Sequence, residues 1–252
     1  MPNTKKTFPS ELGIGVNPHV GIGDAIQFTC IPENYYRNTG KKIIDVGKCY
    51  VFDHNPYVRR GVNAEQVIDL WGHQWELGSS FLSKSERWCE GLGLEKCYLR
   101  HPRLYIYEDT PKFAEEPVIS FHCTGKTRGS LSDKVISVIE KNYEGFKIIQ
   151  IGGPHDKPTP FIDKRGLSFW ESAKIVAESQ IFIGITSGMY YASRCYPNVR
   201  KKIIVQDDHM NEERLKSFTP YGKGYGDWID FDVEIFNTHD HDIGITNALQ
   251  KL

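Results

Sequence analysis

The sequence predicts an α/β protein of two Rossmann-like domains, each around a mainly parallel sheet, facing each other across a cleft. Two observations carry this. Apolar runs of strand length alternate with helix-period segments along the 252-residue chain. A polar stretch bracketed by prolines, EDTPKFAEEP at 108–117, interrupts that alternation once, near the middle. It divides the chain into domains at 1–113 and 114–252, with the last helix free to cross back to the first domain. Parallel sheets bind ligands outside the carboxyl ends of their strands, so with two domains the cleft between them is the expected site.

In the first half, Leu12–Val16 reads as a strand broken by Asn17-Pro18. A helix from Asp24 to Arg37 follows, with Ala25, Phe28, Ile31 and Tyr35 on one face, and Pro32 must kink or shorten it. Asn38-Thr39-Gly40 stops it. Lys42–Val46, Gln66–Leu70 and Arg103–Tyr107 are the next strand candidates, and Ser80–Glu90 is a helix closed by Gly91.

Past the linker the pattern restarts with a strand at Val118–His122 and a helix at Leu131–Asn142. A strand at Lys147–Ile151 precedes a helix at Ser168–Glu178, where Ser168 and Glu171 have capping-box spacing. Strands at Gln180–Gly184 and Lys202–Gln206 flank a short helix at Gly188–Cys195. Asp227–Phe231 reads as a last strand and Ile243–Leu252 as a terminal helix.

Composition narrows the function classes. The chain is 39% hydrophobic, 12% aromatic and 25% charged, as expected of a globular protein with a real core. Its 31 basic and 32 acidic side chains leave a formal charge of -1, so no global field draws it to nucleic acid or anionic lipid. Runs such as Ile203-Ile204-Val205 are too short to span a bilayer, and no signal peptide is read at the N-terminus. The six cysteines show no C-x-x-C pair, which favours reduced thiols in a cytoplasmic protein. Cys89 and Cys97 are close enough for a zinc site, yet no His pair completes one.

Three loops carry candidate chemistry. In HVGIGDAIQF (19–28), Gly21 and Gly23 permit a tight turn and close ligand approach where a strand hands over to a helix. Asp24 in the first helical turn either stabilises the helix N-terminus or faces the cleft as a general base. In SFHCTGKTRGSLSDK (120–134), Thr124, Gly125, Lys126 and Arg128 are the ingredients of a phosphate grip, without being a Walker A loop. The alternative there is a solvated loop before a helix beginning near Ser130. In FIGITSGMYYASRC (182–195), Thr186, Ser187 and Gly188 open a helix with hydroxyls and free N–H groups, or serve as its N-cap.

These pieces resemble the heptosyltransferase-like glycosyltransferases, the ADP-heptose–lipopolysaccharide group with the GT-B fold. GIGDAI (21–26) is similar to that family's G-x-G-D loop, and FKIIQIGGP (146–154) to its strand ending in a Gly-Gly turn. GLSFWESAKIVAESQIFIGITSGMYYASRC (166–195) resembles its signature around Asp-Ser-Gly and a following His. The resemblance implies transfer of a sugar from a nucleotide diphosphate donor, with inversion, usually without a metal ion and with no cofactor beyond the donor substrate. It implies Asp24 as the base that activates the acceptor hydroxyl. Thr124 and Lys126, with Arg128 beside them, match the diphosphate site, as do Ser187 and Gly188. Two positions depart from the family: Thr186 replaces its Asp, and Tyr191 its His.

The resulting expectation is a compact glycosyltransferase acting on a surface glycan or, as a lesser option, a modified nucleobase in phage DNA. Two rivals stand beside it: a sugar-nucleotide epimerase on the same fold, and an inactive nucleotide- or sugar-binding module. Trp71, His73 and Trp75 in DLWGHQWELG, together with Tyr191, are candidate sugar or acceptor contacts, or simple packing. VRRG (58–61) offers a grip for a charged acceptor or, in the preferred reading, a solvated turn. QDDHM (206–210) and NTHDHD (237–242) hold metal-capable residues but read as a strand-end turn and a helix N-cap. No metal site and no oligomeric state are read from the sequence.

Overall fold

The computed structural model describes residues 11–15, 21–69, 84–106, 116–125, 129–185, 187–206 and 233–237. They fall into two compact units, the first running through Tyr105 and the second beginning at Ile106.

In the first unit, β1 (Leu12–Gly15), β2 (Ile43–Asp45), β3 (Val58–Arg60) and β4 (Gln66–Asp69) form a parallel sheet ordered β3-β2-β1-β4. Ile14 lies opposite Asp45 on one side and Ile68 on the other. The expected helix from Asp24 is two helices, α1 (Ile22–Phe28) and α2 (Ile31–Thr39). Pro32 stands in the first turn of α2, where its missing N–H costs nothing, so the chain restarts there instead of kinking. Gly40, at φ 72, ends α2 in the left-handed conformation that suits glycine. A 3-10 turn at Tyr50–Phe52 and α3 (Lys84–Gly91) complete the unit. Phe28, Ile31, Tyr35, Phe52 and Trp88 pack against Leu12, Ile14, Ile43 and Ile68, with the Phe28 and Trp88 rings edge to face at 5.0 Å.

Two expectations in this unit are corrected. Arg103–Tyr107 is not a strand through Tyr105. The segment is tied to the α1–α2 region instead: the Arg103 backbone N–H donates to Oγ1 of Thr29, the C-cap of α1, and the Tyr105 side-chain hydroxyl donates to Glu33 on α2. Alternation in RLYIY reflects packing on helices, with Leu104 buried. VRRG, read as a solvated turn, is instead the edge strand β3. Its Arg60 pairs with Asp45 and Asp53; burial pushes the Asp45 carboxyl above its ordinary range, and the Arg60 charge counters this only in part.

The second unit is a six-stranded parallel sheet ordered β12-β11-β10-β5-β8-β9. Its strands are β5 (Val118–His122), β8 (Lys147–Gly152), β9 (Ile162–Arg165), β10 (Ile181–Gly184), β11 (Lys201–Gln206) and β12 (Val233–Asn237). Between β5 and α4 (Asp133–Asn142), β6 (Thr124–Gly125) and β7 (Gly129–Ser130) pair as an antiparallel clasp. The expected helix start near Ser130 is therefore corrected: Ser130 belongs to the clasp and Ser132 caps α4, accepting from the Val135 N–H. α5 (Phe169–Glu178) opens with the complete capping box of Ser168 and Glu171. α6 (Gly188–Ser193) follows β10.

Phe121, Ile119, Ile183, Ile203 and Val205 form the sheet side of a core that Leu131, Val135, Ile136 and Ile139 cover. β9 and β12 were not expected. The last-strand reading at Asp227–Phe231 and the terminal helix at Ile243–Leu252 lie outside the described residues, as do the linker residues 108–115. All six cysteines are free thiols. Cys89 and Cys97 hydrogen-bond to each other, and burial pushes the Cys30 thiol up to about 12. Among the described residues no helix is long and apolar enough to cross a membrane.

Candidate functional site

Each unit offers one candidate region. In the first, Gly21 is the N-cap of α1 in extended conformation, and the Asp24 N–H donates to its carbonyl at 3.0 Å. Asp24 stands in the first turn, half-buried, beside Gly21; a Cβ on Gly21 would lie 3.4 Å from its Oδ2. Gly23 is buried inside α1. A carboxylate here both complements the helix dipole and stays accessible to a proton donor. Trp71, His73 and Trp75 lie outside the described residues.

In the second unit, His122 closes β5, Gly152 closes β8 just before Gly153, and Gly184 closes β10, so three neighbouring strand ends lie side by side. Ser187 is the N-cap of α6, accepting from the Tyr190 N–H at 3.4 Å, with Gly188 the first helical residue. Its hydroxyl also lies 2.7 Å from Nδ1 of His122. The opposite ring nitrogen, Nε2, faces Asp156 Oδ2 at 3.3 Å, and that oxygen accepts the Gly153 N–H at 2.8 Å. Partial burial of Asp156 opposes its ionisation. Hydrogen bonds from His122 and the Gly153 N–H, with Arg165 nearby, outweigh this and hold its carboxyl below the usual range.

The glycines explain why His122 fits. A Cβ on Gly184 would collide with the His122 carbonyl, and one on Gly152 would collide with Asp156 and lie 3.0 Å from His122 Nε2. Gly152 also adopts φ 139, open in practice only to glycine.

Thr124 accepts the Lys157 N–H at 3.1 Å and shares a hydrogen bond with Ser130 Oγ at 2.9 Å. The Thr124 hydroxyl also lies 3.6 Å from Cys123 Sγ. Gly125 follows Thr124 on β6. The connection carrying Asp156 and Lys157 is held from within the sheet by Gln150, which is fully buried on β8. Its amide donates to the Lys157 carbonyl at 2.6 Å and accepts from the Thr159 N–H at 3.0 Å.

Of the sequence-expected donor residues, Thr124, Gly125, Ser187 and Gly188 belong to this one unit near the ends of β5 and β10. Lys126, Arg128 and Thr186 lie outside the described residues. Tyr191 is buried in α6 at 6% exposure, its ring 5.0 Å from that of Tyr190. His122 and Asp156 were missed: His122 ends an apolar strand, and Asp156 follows Gly-Gly-Pro with no pattern linking the two. Among the described residues no three metal-capable side chains converge.

No protein-family model matches the sequence, and no curated protein sequence does either. Solved structures share its fold. A family 9 glycosyl transferase from Veillonella parvula aligns over 92% of this chain and 87% of its own, with TM-score 0.64 and 12% identity. The E. coli heptosyltransferase WaaC, solved with ADP, aligns over 95% and 98%, with TM-score 0.63 and 12% identity. The iron-containing dodecameric heptosyltransferase TibC, from an enterotoxigenic E. coli and solved with ADP-D-β-D-heptose, aligns over 93% of this chain. This chain spans 64% of the TibC chain, at TM-score 0.65 and 12% identity. The chain thus has the α/β fold, with mainly parallel sheets, that these GT-B-like heptosyltransferases have.

Proposed function

We propose that this protein is a glycosyltransferase that moves a sugar from a nucleotide diphosphate-sugar to an acceptor hydroxyl. The observation that carries this is the grouping of Thr124, His122 and Ser187 near the carboxyl ends of β5 and β10, in a fold shared with heptosyltransferases solved with ADP and ADP-heptose. In this reading 114–252 binds the sugar donor and 1–113 serves the acceptor.

The acceptor oxygen attacks the anomeric carbon as the bond from that carbon to the diphosphate oxygen breaks. The bonding pair leaves with the diphosphate, and the acceptor proton passes to Asp24. The single displacement inverts the anomeric centre. Thr124, Lys126, Arg128, Ser187 and Gly188 stabilise the negative charge that develops on the leaving diphosphate. By resemblance the chemistry is metal-independent and the acceptor is a surface glycan; a modified DNA base is the lesser option, and the cysteine pattern favours a cytoplasmic setting.

Thr186 and Tyr191, at the family's Asp and His, favour one second reading, a binding module without turnover. A thermal-shift panel of ADP-, GDP-, UDP- and dTDP-glucose tests the main proposal, because a ligand that binds only the native state raises its stability. Stabilisation by at least one, with slow donor hydrolysis in water, is expected. Stabilisation without hydrolysis or transfer supports the module, and no shift with any sugar nucleotide overturns both.

A further inference from the structure

The Ser187–His122–Asp156 chain has a consequence for how an anion is received, resting on the diphosphate reading above. We propose that His122 is a positioning residue: taking up a proton, it converts Ser187 from a blocked hydroxyl into a hydrogen-bond donor toward the bound diphosphate.

The geometry dictates two states. Asp156 accepts at Nε2, so a neutral His122 carries its proton there and leaves Nδ1 bare. Ser187, 2.7 Å away, must then donate its only hydrogen to Nδ1. With the Tyr190 N–H also on its oxygen, it offers an incoming anion nothing but a lone pair. When His122 carries two protons, Nδ1–H donates to Ser187 Oγ, and the serine hydrogen turns outward to a phosphate oxygen. The imidazolium stays paired with Asp156, so its charge remains compensated on the far side. Diphosphate binding and protonation of His122 are therefore linked, each favouring the other.

The groups around the imidazole are consistent with this assignment. From the β8–β9 connection come Asp156 and Lys157, whose ammonium is engaged by the Leu131 carbonyl and Asp133, each at 2.9 Å. From β9, Arg165 donates to the Asp156 carbonyl oxygen. Next to His122 on the chain, Cys123 is a thiol that burial pushes up, so it stays uncharged. From α6 come Ser187 and the Tyr190 N–H. Among the described residues only Asp156 provides a carboxylate acceptor to the ring.

The test is isothermal titration of the full chain from pH 6 to pH 8, in buffers of differing ionisation heat. The probe is whichever nucleoside diphosphate-glucose gives the largest thermal shift. Both its phosphates are esterified, so the ligand does not titrate in this range. Binding about fivefold to tenfold tighter at pH 6 than at pH 8, with net proton uptake, is expected. His122→Gln, whose amide can donate to Ser187 without titrating, should flatten the profile, and Ser187→Ala should remove most of the pH dependence.

Measurable binding with a flat wild-type profile and no proton uptake overturns the proposal alone. A full pH dependence retained in Ser187→Ala overturns the serine's part in it. Absence of binding to any sugar nucleotide overturns the proposal together with the reading on which it rests.

Discussion

Ser187 and His122, 65 residues apart in sequence, share a 2.7 Å hydrogen bond that joins the end of β10 to the end of β5. Neighbouring parallel strands, pairing Gly184 with His122, bring them together. The contact depends on a glycine with no room for a side chain.

Gly184→Ala should accordingly destabilise the second unit by about 1–3 kcal/mol, the usual cost of overpacking, because the added Cβ meets backbone that cannot swing aside. Urea denaturation would show it. Gly21→Ala, where the nearest atom is at 3.4 Å, serves as the control and should unfold near the wild-type midpoint.

Asp24→Asn should leave the affinity for sugar nucleotides near normal and cut transfer by ~10²-fold or more, because the amide cannot accept the acceptor proton. Binding is read by titration and turnover by donor consumption. Equal turnover would assign Asp24 to the helix terminus alone.

Asn34 is completely buried and holds the chain after α3 from both ends of its amide. It donates to the Cys30 and Leu99 carbonyls at 3.0 and 2.8 Å, and accepts from the Tyr98 and Leu99 N–H groups at 2.7 and 2.9 Å. Asn34→Ala strands those groups and should cost about 2–3 kcal/mol in denaturant unfolding. Hydrogen exchange at Tyr98 and Leu99 should accelerate with it.

The depressed Asp156 carboxyl sets an acid limit. A group whose folded pKa lies below its unfolded value adds stability above the unfolded value, near 3.8 here, and loses it as pH falls through the folded one. Unfolding midpoints should fall as the pH drops below about 5. Asp156→Asn should remove part of that fall while lowering stability at pH 7.

Strands of the second unit were legible because they are buried on both faces and read as continuous apolar runs, as in Ile181–Gly184 and Lys147–Gly152. Two charged edge strands were not: Val58–Arg60 and Ile162–Arg165 carry basic and acidic residues, which edges tolerate and which resemble turns, whereas the more apolar edge at Gln66–Asp69 was read. RLYIY misled because alternation reports a half-buried segment, whatever that segment packs on. At the candidate site the loop residues announced themselves by type. His122 and Asp156 gain their meaning only from a contact across strands, which no local spacing encodes.

Gln150 gives the second unit a property that its surface loops would not suggest. Because a side chain rooted inside the sheet grips Lys157 and Thr159, the strap bearing Asp156 is ordered when the protein folds. An arriving ligand then has little chain to immobilise, and its contact energy goes into residence instead of into freezing the polypeptide.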